Sequence, residues 1–325
     1  MTASPHRVEG LGLSGPSIPH PMAGGINFCG IELAHPVING SGTFDVIAAR
    51  RAFGDDLDQR FPFSAFVSKT ITLEPRAGNA PPRLWEAPAG LINSIGLPNK
   101  GLTGYLESDL PQLARLPVPL ITNVMGSTAA EVIELVEAVG AREEVAAIEL
   151  NVSCPNVKTG LDIGADARSL ATFIRAIRPH ALKPLIVKLT PNTADVAAVA
   201  EAAAAEGADA VSLINTLRAM ALTSNGEAWL GGGTGGLSGP AVFAVALAQV
   251  TAVARRVDIP IVGMGGVRTT QHAQDLLSAG ATLVAVGTES FRDPLAGAKI
   301  AGGLREIPAN GGERLAASPS TRHLA

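Results

Sequence analysis

Pro184-Leu185-Ile186-Val187-Lys188-Leu189 is one of eight short apolar runs, rich in β-branched residues, that recur along the chain. Because the runs are continuously apolar and do not alternate, they predict strands buried on both faces, as in a parallel sheet. The eight predicted strands are Pro36–Asn39, Ala65–Lys69, Pro119–Val124, Ala147–Val152, Pro184–Leu189, Ala210–Asn215, Pro260–Gly263 and Leu283–Gly287.

Amphipathic stretches rich in Ala and Leu separate most of these runs. They predict helices over residues 129–140, 165–179, 194–206, 240–255, 271–279 and 294–304. Strand–helix alternation repeated eight times is typical of an α/β (β/α)₈ TIM barrel, with a doubly wound open sheet as the alternative. The interval 70–118 is too long for one connection, so it predicts loops, a short hairpin and a helix.

Composition indicates one large folded domain in the 325-residue chain. Hydrophobic residues make up 46% and charged residues 17%, which supports a sizeable core. We expect the barrel to span residues 25–307, with residues 1–24 and 308–325 as disordered tails because they lack periodicity. The net charge of −4 gives no reason to expect nucleic acid or an anionic membrane as a partner.

Compartment and redox context follow from what the sequence contains. No apolar run approaches the roughly 18–20 residues of a membrane span, and the first residues do not resemble a signal peptide, so we expect a cytoplasmic protein. Cys29 and Cys154 are too few for a disulfide framework or for an iron–sulfur cluster, which usually needs four protein ligands. No metal site is expected.

Nearly every predicted strand ends in a polar residue or a glycine. In a barrel these carboxyl ends converge on the face that holds active sites. One such residue is explained by capping or a turn, but eight together indicate a binding face. The strand ends, in order, contain Asn39 to Thr43, Ser68 to Thr70, Asn123, Asn151 to Cys154, Lys188 and Thr190, Asn215 and Thr216, Gly263 to Gly266, and Gly287 and Thr288.

Two lysines lie inside or at the end of apolar runs. Lys69 and Lys188 are predicted to be buried and to point toward the barrel mouth. A buried lysine is costly without an anionic or polar partner. A flavin, which becomes negative on reduction, is a suitable partner.

Glycine-rich loops follow the last three predicted strands. Gly265-Gly266 and Gly287-Thr288 offer unobstructed backbone N–H groups where such barrels often bind phosphate. Gly239-Pro240 brings a third loop, with proline suited to a first helical turn. These loops predict a phosphorylated cofactor. A Rossmann site for NAD is disfavoured because no strand-associated G-x-G-x-x-G is present.

Taken together, the motifs resemble those of dihydroorotate dehydrogenases. The resemblance rests on a set of sequence motifs that occur in the family's order between about residue 26 and residue 307. The matching segments are Ser68-Lys69-Thr70, Asn93 to Asn99, Asn151 to Lys158, Val187 to Pro191, Ile214-Asn215-Thr216, Gly263 to Val267 and Val286-Gly287-Thr288. It implies oxidation of (S)-dihydroorotate to orotate in pyrimidine (UMP) biosynthesis, with FMN accepting the hydride.

The resemblance also implies roles for individual residues. Cys154 is the general base. The substrate would be bound by Lys69, Asn93, Ile95, Gly96, Leu97, Asn151, Asn156, Asn215 and Thr216. FMN would be bound by Ser41, Gly42, Lys69, Thr70, Asn123, Asn151, Lys188, Ile214, Gly239, Gly265, Gly266, Gly287 and Thr288.

A cysteine at the base position resembles class 1, and the Cys154-Pro155-Asn156-Val157-Lys158 run resembles its type B catalytic subunit. That branch implies a homodimer core and a second subunit that carries FAD and a 2Fe-2S cluster and passes electrons to NAD⁺. Two departures from the family pattern are Arg218-Ala219, which put the conformation of a flavin-side loop in doubt, and Lys158-Thr159.

Three alternatives remain. A type A enzyme would use fumarate without a partner, and a dihydropyrimidine dehydrogenase-type flavin subunit would act on a ring that lacks the carboxylate. A catalytically silent phosphate-binding barrel is the alternative from a different class.

Overall fold

The structure is a computed structural model that describes residues 25–153 and 163–306. The predicted tails, and the segment that contains Cys154 and Asn156, lie outside these residues. The described strands are β1 (Ile26–Phe28), β2 (Ile31–Leu33), β3 (Val37–Asn39), β4 (Phe66–Val67), β5 (Leu84–Ala87), β6 (Gly90–Asn93), β7 (Leu120–Val124), β8 (Val145–Asn151), β9 (Leu185–Lys188), β10 (Ala210–Leu213), β11 (Leu217–Ala219), β12 (Gly235–Ser238), β13 (Ile261–Met264) and β14 (Leu283–Val286).

The described helices lie mainly outside the strands. They are α1 (Val46–Phe53), α2 (Asp55–Gln59), α3 (Gly101–Gly104), α4 (Leu110–Leu113), α5 (Ala129–Gly140), α6 (Ala167–Ile177), α7 (Val196–Ala205), α8 (Phe243–Ala254), α9 (Thr270–Ser278), α10 (Glu289–Arg292) and α11 (Ala296–Glu306). Side chains of Thr128, Asp166, Asp195 and Thr269 accept hydrogen bonds from the first turns of α5, α6, α7 and α9. These caps explain where the helices begin.

Eight parallel strands form the barrel in the order β3-β14-β13-β10-β9-β8-β7-β4. The remaining seam, between β3 and β4, is closed by Asn39. Its side chain donates to the carbonyl of Val67 and accepts from the N–H of Val67, both at 2.8 Å. The Ser64 N–H also donates to the Val37 carbonyl. The predicted barrel is therefore confirmed, and the open-sheet alternative is wrong.

Apolar side chains alternate between two cores along each strand. Outward residues such as Ile148 and Val187 pack against the helices. Inward residues, including Ile121, Ala147 and Ile186, form a separate cluster inside the barrel together with Phe28 and Leu33 of the β1–β2 hairpin. The hairpin caps the amino ends of the strands, since Cys29 Sγ donates to the carbonyl of Asp209 just before β10.

A second sheet of four antiparallel strands lies over the carboxyl ends, in the order β11-β12-β6-β5. The predicted hairpin within 70–118 corresponds to β5 and β6, and the predicted helix to the segment of α3 and α4. β12 pairs with β6, so that Gly236 lies opposite Asn93. This sheet brings the loops after β4 and β10 together on one side of the barrel mouth.

Candidate active site

Polar side chains replace apolar ones at inward positions toward the carboxyl ends of four neighbouring strands. Strand side chains point to the same face at every second residue. The inward positions of Ile121, Ala147, Ile186 and Ala210 are therefore followed, two residues along each strand, by Asn123, Glu149, Lys188 and Ser212. All four side chains are buried.

Glu149, on β8, connects β7 and β10 through hydrogen bonds within this polar layer. Its carboxylate accepts a hydrogen bond from Asn123 Nδ2 at 2.5 Å and another from Ser212 Oγ at 2.7 Å. The Asn123 Oδ1 atom is buried and has no hydrogen-bond partner within residues 25–153 and 163–306. A buried acceptor of this kind costs about 1–3 kcal/mol unless a ligand or water satisfies it.

The two predicted lysines differ. Lys188 is 7% exposed, and no carboxylate of the described residues forms an ion pair with it. Lys69 is exposed, so the prediction that it is buried is wrong. β4 ends at Val67, two residues before the predicted strand end, and Lys69 follows the strand with its Cγ beside Gly42.

The ends of β3 and β4 are tied by hydroxyl groups. Ser41 Oγ donates to the Ser68 carbonyl at 2.8 Å and lies 3.5 Å from Thr70 Oγ1. Ser68 Oγ in turn accepts the Asn123 N–H at 3.0 Å. The predicted residues Ser41, Thr70 and Asn123 are thus brought together.

The glycine loops after β12, β13 and β14 meet, as the sequence predicted. A Cβ at Gly266 would come within 2.8 Å of the Gly239 carbonyl, and one at Gly265 within 2.9 Å of Ile214. Thr288 Oγ1 donates to Ser238 Oγ at 2.8 Å, which joins the last loop to the end of β12. Both Gly265 and Gly266 have positive φ angles, which favour glycine.

A cluster of amides lies on the other side of the mouth. Asn215 Nδ2 donates to Ser153 Oγ at 2.8 Å and lies 3.4 Å from Asn151 Oδ1. Asn93 Nδ2 donates to the Gly236 carbonyl at 3.2 Å. A cavity of about 180 Å³ opens beside this cluster, lined by Ser153, Asn192, Asn215, Thr216, Arg218, Thr234, Gly235 and Gly236.

The loop with Ile95, Gly96 and Leu97 is held by hydrogen bonds to its own segment of the chain. The Asn79 N–H donates to the Ile95 carbonyl at 3.1 Å, and Asn99 Nδ2 donates to the Leu97 carbonyl at 2.9 Å. In the described part of the chain, no direct hydrogen bond joins these three residues to the amide cluster. Their predicted role as a carboxylate site remains a prediction.

The predicted base, Cys154, and the predicted substrate ligand Asn156 lie outside the described residues. The other thiol, Cys29, is half-buried at the opposite end of the barrel. Burial, with a smaller contribution from Asp209, raises the pKa of Cys29 to about 11. Cys29 is therefore an unreactive thiol.

Sequence reasoning missed Glu149, Ser212 and Asn192. The argument that singled out Lys188 within an apolar run applies equally to Glu149, so that signal was present. Asn192 Nδ2 donates to the Thr216 carbonyl at 3.1 Å, and its Oδ1 accepts the Arg218 N–H at 2.9 Å. This contact and the β11–β12 pairing show how the Arg218-Ala219 departure is accommodated.

These features define a (β/α)₈-barrel protein whose polar site lies at the carboxyl ends of its strands, where the active sites of barrel enzymes lie. The profile of the dihydroorotate dehydrogenase family matches residues 25–307. The chain belongs to the dihydroorotate dehydrogenase family.

Relatives named "Dihydroorotate dehydrogenase B (NAD(+)), catalytic subunit" are similar over most of their length. The Pelobacter propionicus protein is 44% identical over 281 residues, which cover 86% of this chain and 91% of the relative. The Geotalea daltonii protein is 42% identical and the Geobacter sulfurreducens protein 41% identical, and each alignment covers 88% of this chain and 93% of the relative.

A solved structure supports the fold. The crystal structure of DHODH from Eimeria tenella in complex with ferulenol matches with a TM-score of 0.70, covering 86% of this chain and 83% of that one at 22% identity. Among the described residues, no helix is long and apolar enough to cross a membrane.

Proposed function

We propose that this protein oxidises (S)-dihydroorotate to orotate in pyrimidine biosynthesis, with FMN as its cofactor. The observation that carries the proposal is the 41–44% identity, over 86–88% of the chain, to catalytic subunits of dihydroorotate dehydrogenase B. The buried polar layer at the mouth of the barrel is consistent with a site that binds a planar, hydrogen-bonding ring.

The residues present fit FMN. Lys188 is buried without a carboxylate partner in the described ranges, and it would stabilise negative charge on a flavin ring. The unpaired Oδ1 of Asn123 offers an acceptor to a ring N–H. The loops of Gly239, Gly266 and Gly287 offer backbone N–H groups for a phosphate.

The proposed substrate roles divide the polar residues by chemistry. Asn151, Asn215 and Thr216, with Asn93, would donate to and accept from a ring of alternating C=O and N–H groups, because an amide does both. Unpaired amides would disfavour analogues that lack those groups. Together with Asn156, Ile95, Gly96, Leu97 and Lys69 they form the proposed substrate site.

In the proposed mechanism Cys154 removes the C5 proton of dihydroorotate. Bound FMN supplies the acceptor for the hydride that leaves C6. A free thiol with a pKa near 8.5 is a weak base at pH 7, so donors such as Ser153 and Lys69 would have to favour its thiolate. Asn215 Nδ2 already fixes the Ser153 hydroxyl next to Cys154 in the chain.

The test is Cys154→Ser, with Cys29→Ser as the matched control. Because a positioned base contributes roughly 10²–10⁴-fold, Cys154→Ser is expected to slow dihydroorotate oxidation by that factor at neutral pH. FMN and orotate binding should remain. Cys29→Ser should turn over like wild type. Equal rates in both variants would remove Cys154 from the mechanism, and a protein that carries no FMN would remove the whole proposal.

We further propose that electrons leave through a partner subunit that carries FAD and a 2Fe-2S cluster, to NAD⁺. Support comes from the relatives' name, which specifies a catalytic subunit of an NAD(+) enzyme. We propose two copies of this chain as the core of that cytoplasmic complex. Purified chain should reduce NAD⁺ only when the partner is added and should not reduce fumarate; fumarate reduction by the chain alone would make it a type A enzyme.

A further inference from the structure

Glu149 is a buried acid that the proposed mechanism does not use. It lies on β8 between the inward positions of Ala147 and Asn151 and is 3% exposed. Its two oxygens accept from different strands, Asn123 Nδ2 on β7 and Ser212 Oγ on β10. The carboxylate is therefore held from two sides below the carboxyl ends of the strands.

This contact determines which way the carboxamide of Asn123 faces. An amide can turn either its NH₂ or its oxygen toward a neighbour, but both side-chain oxygens of Glu149 act as hydrogen-bond acceptors. Glu149 therefore selects the NH₂ group, and Oδ1 must point the other way. That oxygen is the buried atom without a partner in the described part of the chain.

We propose that Glu149 is a positioning residue that orients Asn123 so that its Oδ1 accepts a hydrogen bond from an N–H of the bound flavin ring. The proposal rests on the proposed function, because it takes FMN as the ligand of this face. Ser212 donates to the other oxygen of Glu149, so the contact with Asn123 is made by one oxygen alone and does not need Ser212.

If Glu149 orients Asn123, the effect of Glu149 on FMN binding depends on Asn123, whereas a residue that only packs in the core would show no such dependence. If Glu149 acts only through Asn123, then removing its acceptor should weaken FMN binding in the wild-type background and have no further effect once the amide is gone. Contacting residues that act through one another give non-additive double mutants, whereas independent sites add.

The experiment uses the full-length, FMN-loaded protein and measures FMN release by the fluorescence of the freed flavin after dilution. Glu149→Met, an unbranched apolar replacement, should raise the dissociation constant on the order of 10-fold, the equivalent of one buried hydrogen bond. Asn123→Ala should do the same, and the double variant should be no weaker than Asn123→Ala. Ser212→Ala is the matched control, since it removes the other contact of Glu149, and it should change the constant less than 3-fold.

A second readout does not depend on turnover. With ¹⁵N-labelled FMN, the ring N–H resonance that senses Asn123 should shift in Glu149→Met and Asn123→Ala by the same amount and stay in place in Ser212→Ala. Glu149→Leu, which also removes the acceptor, carries the same comparison if Glu149→Met does not fold. Additive losses, or an unshifted resonance, would overturn the positioning role. Wild-type protein without FMN would instead overturn the proposed function.

Discussion

The half of the barrel interior near the amino ends of the strands, the lower half, is apolar and closed by the β1–β2 hairpin. The half near the carboxyl ends, the upper half, is polar and open. At the amino ends, Phe28 and Leu33 of the β1–β2 hairpin pack onto the inward residues of the strands. Two residues further along the same strands, the inward positions hold Asn123, Glu149 and Lys188. Two successive inward positions of the same strand therefore have different roles: the first packs in the apolar core, and the second lies in the polar site.

This difference has an energetic consequence. Burying Lys188 and leaving an acceptor of Asn123 unpaired both destabilise the folded chain until a ligand binds. The apolar lower half provides stability that offsets these costs. Substitutions in the lower half should therefore lower the free energy of unfolding without changing ligand affinity, whereas those in the upper half should lower ligand affinity.

The largest expected effect is in the lower half. Phe28 is fully buried, so Phe28→Ala should lower the free energy of unfolding by about 3–5 kcal/mol, measured by denaturant titration. Phe291 is 61% exposed, and Phe291→Ala is the matched control, with an expected change within about 0.5 kcal/mol. A large loss of FMN affinity in folded Phe28→Ala would contradict the division of the interior.

The architecture was predictable because the parallel strands are buried on both faces and so are continuously apolar. The β1–β2 hairpin was not predicted, because Ile26–Phe28 and Ile31–Leu33 are three residues each and leave little pattern. The four-stranded antiparallel sheet was not predicted as a whole, for a different reason. β12 is Gly235-Gly236-Leu237-Ser238, a composition that suggests a loop, and its partner β6 is distant in sequence.

Within the site, whether a residue could be predicted from the sequence depended on its position along its strand. Lys188 was predicted because a charge inside an apolar run stands out, and its burial is confirmed. Lys69 was misplaced because strand ends are the least certain part of such predictions. The Asn123–Glu149–Ser212 contacts join three strands, and sequence spacing alone gives no register between strands.

The second prediction concerns His35, at the amino end of β3. Burial, and then the charge of Arg305, lowers its pKa to about 4 from 6.5. The unfolded chain takes up this proton first as the pH falls, so the stabilising contribution is complete above pH 6.5 and is lost toward pH 4. The loss should be about 3 kcal/mol.

The measurement is the free energy of unfolding as a function of pH for wild type and His35→Gln. Between pH 6.5 and 4 the free energy of unfolding should fall less steeply in the variant than in wild type, whatever the stability of the variant at pH 8. Parallel curves for the two proteins would show that His35 does not carry the dependence.

The third prediction tests the upper half. Lys188→Met keeps the length of the side chain but removes its charge from a buried position. Turnover should fall on the order of 100-fold, since one preorganised charge-stabilising group contributes about that much. The FMN-free protein should be at least as stable as wild type, because the change removes a buried ammonium that has no ion pair within residues 25–153 and 163–306. A marked loss of stability would show that Lys188 has a structural partner.

The smallest expected effect tests the glycine loops. Gly266 has a φ of 72°, and a Cβ there would come within 2.8 Å of the Gly239 carbonyl and 2.9 Å of the Phe243 nitrogen. Gly226 has a similar φ of 82°, but a Cβ there would meet nothing within 4 Å. Both alanine substitutions carry the strain of a positive φ, roughly 1 kcal/mol, and only Gly266→Ala also displaces a neighbouring loop.

FMN affinity should therefore fall on the order of 10-fold in Gly266→Ala and stay at the wild-type value in Gly226→Ala, as measured by flavin fluorescence. Both variants should lose similar amounts of unfolding free energy from the shared φ strain, so the comparison isolates the loop displacement. If the two variants bind FMN equally well, the contact between the Gly239 and Gly266 loops does not shape the cofactor site. The upper half of the barrel would then depend on its buried polar layer alone.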